Sequence, residues 1–300
     1  MRRWKLVTGC AALAVVSCAT TVTWCIKSRP AELHASLAKP ELRIADAPPP
    51  APPAPAPPPR CPAEPLLPTR LAEVRPPTEL ARLFYESPEK LGSASIGSPT
   101  RGRLFGGVEL VANDGIAPEG DHPWGTETAV RSIERAVREV QRCFPATQKL
   151  HVGDISRKQG GWLRPHRSHQ SGLDADIGYY YLDGPAWFQP ATKDTLDRPR
   201  TWALIRALVE GGSVEMIFID RSVQKLLREH VDAEDPSGAS LFATNPLEGV
   251  IRHAPGHGAH FHVRFRDPAS VELGARIASL VNRPVVRGQA RGQTRGLPRR

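Results

Sequence analysis

The apolar positions Ala129, Val130, Ile133, Ala136, Val137 and Val140 recur at intervals of three and four. That spacing predicts a helix between Thr126 and Cys143 with one stripe turned to a core. Phe144-Pro145 ends it, because proline disfavours helical geometry in the residue before it. Residues 150–155 and 173–179 read as strands. Residues 200–210 read as a helix stopped by Gly211-Gly212. A buried strand at 214–219, a helix at 222–231, a strand at 259–265 and a final helix at 269–281 follow. Two of these strands keep polar residues on one face. The mixture predicts a compact single α+β domain with a central, mostly antiparallel sheet. Residues 91–125, rich in Gly, Ser and Pro, are expected to be irregular. No internal repeat is visible.

The flanks follow other rules. Met1-Arg-Arg-Trp-Lys5 precedes a mostly apolar run from Leu6 to Ile26, closed by Lys27-Ser-Arg29-Pro30. A cationic start followed by an apolar stretch is an export pattern, so residues 1–26 are expected to be a signal peptide or membrane anchor. Val15-Val16-Ser17-Cys18 resembles a bacterial lipobox, which would leave Cys18 lipidated. Residues 27–68 form a proline-rich linker, in which 47–68 hold 12 of the 31 prolines. Proline lacks the amide donor and fixes φ, so a polyproline II spacer is expected there. The folded domain is then 69–286, and 287–300, with five arginines and no acid, is expected to be a disordered basic tail.

Placing the charge changes its meaning. The net charge is +9, which taken alone suggests a nucleic-acid or anionic partner. Five excess positive charges lie in residues 1–30 and five in 287–300, while residues 47–286 carry none. Nucleic-acid binding therefore rests on the tails alone, and no nucleic-acid partner is expected. Of the five cysteines, Cys10, Cys18 and Cys25 fall in the export segment. Cys61 and Cys143 remain, and in an exported protein they could pair. No CxxC pair exists to hold zinc by thiolates.

The candidate chemistry lies in two clusters. One is His166-Arg-Ser-His169-Gln-Ser-Gly-Leu-Asp174-Ala-Asp176, the other His257-Gly-Ala-His260-Phe-His262-Val-Arg264-Phe. Strand alternation puts His260, His262 and Arg264 on one face, with Phe261, Val263 and Phe265 toward the core. It likewise separates Asp174 and Asp176 from Leu173, Ala175 and Ile177. Gly172 allows a turn from a loop bearing His169 into that strand. Two imidazoles and one carboxylate with a fourth position open form a common catalytic zinc arrangement, with His169, Asp176 and His262 as candidates. Zinc would acidify bound water and polarise a carbonyl, with His260 as general base or oxyanion stabiliser. A structural histidine pair and a non-haem iron site are the other readings, and export disfavours the iron. The HExxH zincin motif is absent.

Several neighbours admit two readings. Asp174 could orient an imidazole or be a solvated strand residue, and Arg264 could bind a substrate carboxylate or be a plain surface arginine. Trp162, Trp187 and Tyr179–Tyr181 could line a cleft or fill a core. His34, His122, His151 and His230 show no partner pattern.

SHQSGLDADI together with AHFHVRF resembles the penicillin-insensitive murein endopeptidases, of the wider lysostaphin and D-alanyl-D-alanine metallopeptidase group. That group's metal motif is His, six residues, Asp, then a distant HxH, which His169, Asp176 and His260-Phe-His262 match. His166 and His257 match two further family histidines. Ser95-Ile-Gly-Ser98 with Gly106-Gly107, and His151-Val-Gly-Asp154 through Gly160-Gly161, extend the resemblance over roughly residues 93–267. It implies an α+β zinc hydrolase that cuts peptide cross-links of peptidoglycan, typically the D-alanyl–meso-diaminopimelyl bond. It implies zinc on His169, Asp176 and His262, a catalytic His260 supported by His257, and His166 close enough to ligate a second ion. Residues 180–200 have no such correspondence, and nothing is carried over to them. The expected place is the periplasm or cell envelope, with the N-terminus holding the chain at the membrane. Two rivals remain: a D,D- or L,D-carboxypeptidase using Arg264 for a terminal carboxylate, and a non-catalytic zinc-containing wall-binding module.

Overall fold

The computed structural model describes residues 74–245 and 248–281. The expected export segment (1–26), the whole proline-rich linker (27–68) and the basic tail (287–300) lie outside them. Helix α1 (Pro77–Glu86) starts on proline, whose fixed φ suits a first turn. Strands β1 (Ala94–Ser98) and β2 (Arg101–Phe105) form an antiparallel hairpin. After β3 (Val108–Glu109) come β4 (Ile116–Pro118) and β5 (Trp124–Gly125), with β5 returning antiparallel to β3.

The region expected to be irregular thus carries five strands. They are two to five residues long, too short and too rich in Gly and Ser for an apolar alternation to show. Close packing gives the hairpin its partner. Helix α5 (Pro268–Val281) lies on β1 so tightly that a Cβ on Gly274 would sit 1.9 Å from the Ser95 carbonyl oxygen.

Helix α2 (Glu127–Cys143) realises the expected stripe, with Ala129, Val130, Ile133, Ala136, Val137 and Val140 all buried. The Thr126 hydroxyl caps it by accepting from the Ala129 amide. The remaining elements are β6 (Leu150–Val152), β7 (Asp174–Gly178), α3 (Arg198–Glu210), β8 (Val214–Ile219), α4 (Arg221–Glu234), β9 (Ile251–His253) and β10 (His260–Phe265). Asp197 and Asp220 cap α3 and α4 through their carboxylates.

The central sheet runs β4-β6-β7-β10-β8-β9. Its three inner pairings are antiparallel and its two outer ones parallel. The domain is α+β, as expected. Strand β6 is shorter than predicted, yet the chain beyond it stays tied to β7: the Gly153 amide donates to the Asp176 carbonyl, and the Asp176 amide to the Asp154 carbonyl. Cys143 is disulfide-bonded; no other cysteine falls among the described residues, so its partner lies outside them. Among the described residues no helix is long and apolar enough to cross a membrane.

Candidate metal centre

The two inner strands β7 and β10 pair with His262 opposite Asp176 and Arg264 opposite Asp174. Phe261, Val263 and Phe265 on β10, with Ala175 and Ile177 on β7, are buried in the main core. Every polar side chain of the pair therefore falls on the other face. The third member comes from the loop before β7. His169 adopts φ +66°, uncommon for a residue with a Cβ, and Gly172 at φ +76° turns the chain into the strand. Asp174 fixes this loop by accepting from the His169 amide at 3.3 Å.

Each ring has its tautomer set from behind. His169 Nδ1 stands 3.0 Å from the Ile155 carbonyl, which can only accept, so Nδ1 carries the proton and Nε2 keeps its lone pair. His262 Nε2 lies 3.3 Å from Asp174 Oδ1, which leaves Nδ1 to face forward. His169 Nε2, His262 Nδ1 and Asp176 Oδ1 then converge. The three separations are 3.2, 3.0 and 3.4 Å. A tetrahedral ion with bonds of about 2.0–2.1 Å needs ligand atoms about 3.3–3.4 Å apart. Three acceptors facing one another in a buried site also need a cation between them. The residues present fit a divalent metal.

Local electrostatics say the same. Burial opposes charge on His262, but its hydrogen bonds to Asp174 and Asp176 outweigh it and raise its pKa to about 9. Burial likewise disfavours charge on Asp176, yet His169 and His262 hold it well below the carboxylate range.

A family model of the penicillin-insensitive murein endopeptidases matches residues 95–276, well over half of the chain. The chain belongs to this family. The penicillin-insensitive murein endopeptidase of Haemophilus influenzae is 28% identical over 213 residues, spanning 61% of this chain and 67% of its own. Those of Salmonella paratyphi B and Salmonella typhimurium are 28% identical over 198 residues, spanning 58% and 67%. Membership makes the chain a metallopeptidase.

The neighbours of the triangle in this murein endopeptidase family member resolve several open readings. Arg264 donates to Asp174 through Nε at 2.8 Å and Nη2 at 3.2 Å. Asp174 is fully buried; burial disfavours its charge, but His262 and Arg264 hold its pKa far down. It is a partner to an imidazole, and Arg264 is its counter-ion. Tyr179, Tyr180 and Tyr181 are buried in the core, while Trp162 is exposed.

His260 stands beside the triangle, its Nε2 3.8 Å from Asp176 Oδ1. Its Nδ1 is buried with no hydrogen-bond partner among the described residues. Burial, opposed by the charge of Asp176, lowers its pKa to about 4, so the ring is neutral at physiological pH. The His257 ring lies 5.1 Å from that of His260, and its Nδ1 faces the Pro255 carbonyl at 3.1 Å. Tyr179 steadies that loop by donating to the His257 carbonyl at 2.9 Å.

His166 bridges two carboxylates, with Nε2 3.2 Å from Asp154 Oδ2 and Nδ1 3.5 Å from Asp176 Oδ2. Its bond to Asp154 raises its pKa against the effect of burial. With His169 and Asp176 it also forms a set whose donor atoms lie within 4.8 Å of one another and could hold an ion. Asp154 takes a second imidazole, His122 Nδ1, at 3.2 Å. His122 therefore has a partner, which its sequence context did not show. His151 also has one, since its Nδ1 contacts the Glu119 carboxylate. No spacing rule joins residues 122, 154 and 166.

Proposed function

We propose that the chain is a zinc-dependent endopeptidase that hydrolyses peptide cross-links of peptidoglycan, of the D-alanyl–meso-diaminopimelyl type, in the cell envelope. The observation that carries this reading is the triangle of His169 Nε2, Asp176 Oδ1 and His262 Nδ1, with both imidazoles anchored from behind. These three would hold the ion. Zinc bound there supplies a Lewis acid for the scissile carbonyl and an acidified water at neutral pH.

The protein's own groups do the rest. Asp174 and Ile155 keep the two rings turned so that their lone pairs meet. His166, itself anchored by Asp154, faces the outer oxygen of Asp176 and leaves Oδ1 for the ion. His260, neutral and next to the triangle, takes a proton from the attacking water and returns it to the departing amine. His257 supports that ring. The carboxypeptidase reading needs a cation for a terminal carboxylate, and Arg264 is engaged by Asp174. The substrate lies outside the cytoplasm, which agrees with the export pattern of residues 1–26.

The test is digestion of cross-linked muropeptide dimers by the full chain, with and without chelator, read by mass spectrometry. Monomers are expected only when metal is present. Intact dimers in the metal-replete sample would sink the proposal, and release of a terminal residue alone would favour a carboxypeptidase. His260→Ala separates an enzyme from a wall-binding module: it should keep its zinc and lose turnover.

A further inference from the structure

Phe188 stands against two preferences. It is 61% exposed, and its backbone sits at φ +56°, a left-handed conformation that is costly for a bulky side chain. The fold nevertheless holds it in place. The Tyr181 hydroxyl donates to the carbonyl of Gln189, the residue after Phe188, and lies 3.4 Å from the carbonyl of Ala259, the residue before His260. The Ala191 amide donates to the Gly258 carbonyl at 2.8 Å. On the other side, Trp187 lies against Gly153, where a Cβ would come within 2.5 Å of the indole. The turn is thus fastened to the start of β10.

This arrangement puts the Phe188 ring on His260, with centroids 5.3 Å apart and planes inclined by 19°. The Trp187 ring is its other aromatic neighbour, with centroids 5.8 Å apart and planes inclined by 60°, and most of the residue is open to solvent. None of it shapes the metal triangle, whose supports are Ile155, Asp174 and the pairing of β7 with β10. An exposed aromatic ring in a strained turn beside the group assigned to proton transfer has the character of a ligand contact.

We propose that Phe188 is a substrate-contact residue whose open ring takes a short aliphatic side chain of the cross-linked peptide, next to the bond that is cut. The inference rests on the endopeptidase reading. In a D-alanyl–meso-diaminopimelyl cross-link the alanyl methyl sits on the carbon that bears the scissile carbonyl, so it is the apolar group closest to the bond that is cut. One such ring–methyl contact is worth about three- to tenfold in affinity.

The experiment compares the full chain with Phe188→Ala and Phe188→Gly, the latter accepting positive φ without strain. On muropeptide dimers both variants should raise KM by about three- to tenfold, with kcat within twofold and zinc content and melting temperature not lowered. The same loss should appear in calorimetric binding of uncleaved dimers to chelator-treated protein, and should vanish for dimers with glycine in place of the alanine. A fall in kcat or zinc content at unchanged KM would assign Phe188 to the structure of the site and overturn the inference. Equal dimer affinity of wild type and variants would overturn it whether or not the chain cleaves. Failure of the wild type to cleave would count against the endopeptidase reading, and the binding comparison would still decide the role of Phe188.

Discussion

Arg264 grips Asp174 with two of its guanidinium nitrogens, Nε on Oδ1 at 2.8 Å and Nη2 on Oδ2 at 3.2 Å. The same Asp174 Oδ1 lies 3.3 Å from His262 Nε2, so an interaction remote from the substrate sets the angle of a ligand ring. Removing the guanidinium leaves a fully buried carboxylate with one partner fewer. Arg264→Ala is expected to cost about 3 kcal/mol in urea unfolding and about 10- to 100-fold in zinc affinity by chelator competition. If Arg264 instead bound a substrate carboxylate, the change would raise KM and leave both measurements where they were.

Metal-free and metal-loaded protein should differ in how stability follows pH. Asp174 and Asp176 titrate below their ordinary range, so their contribution is in place above about pH 4 and is lost as pH falls further. His262 has the opposite sign. Raised to about 9, it contributes fully below about pH 6.5, and that contribution is lost as pH rises through its folded value. Chelator-treated protein should therefore lose stability between about pH 6.5 and 9, by denaturant titration. Zinc replaces the proton on His262, so the loaded protein should not show this loss. Parallel curves for the two forms would contradict the placement of the ion.

Asp154 binds two imidazoles and, through His166, steadies Asp176. Asp154→Asn should lower kcat/KM about 10- to 100-fold and weaken zinc binding, as the loss of an outer support of a metal ligand does. His122→Ala removes only the outer member and should cost less of both. Comparable effects from the two variants would mean that His122 acts on the site by another route.

The inner sheet was legible in the sequence where its information is local. The alternation in His260-Phe-His262-Val-Arg264 and in Asp174-Ala-Asp176 fixes which side chains share a face, and Gly172 marks the turn that brings His169 up to them. The helix 127–143 was equally plain. Strands β1 to β5 were not, because they are only two to five residues long and are held by close approaches such as Gly274 against Ser95. The link from His122 through Asp154 to His166 spans 44 residues and obeys no local period. Arg264 and Asp174 both stand out in the sequence, but only the register of β7 against β10 shows that they neutralise each other.

The central claim is that zinc sits between His169 Nε2, Asp176 Oδ1 and His262 Nδ1. X-ray absorption at the zinc edge, on the full chain loaded and then dialysed, addresses it directly. The account predicts one tightly held zinc with two imidazole nitrogens and oxygen neighbours at about 2.0–2.1 Å, and one imidazole fewer in His262→Ala. Zinc lost on dialysis of the wild type, or an unchanged ligand shell in His262→Ala, would contradict it.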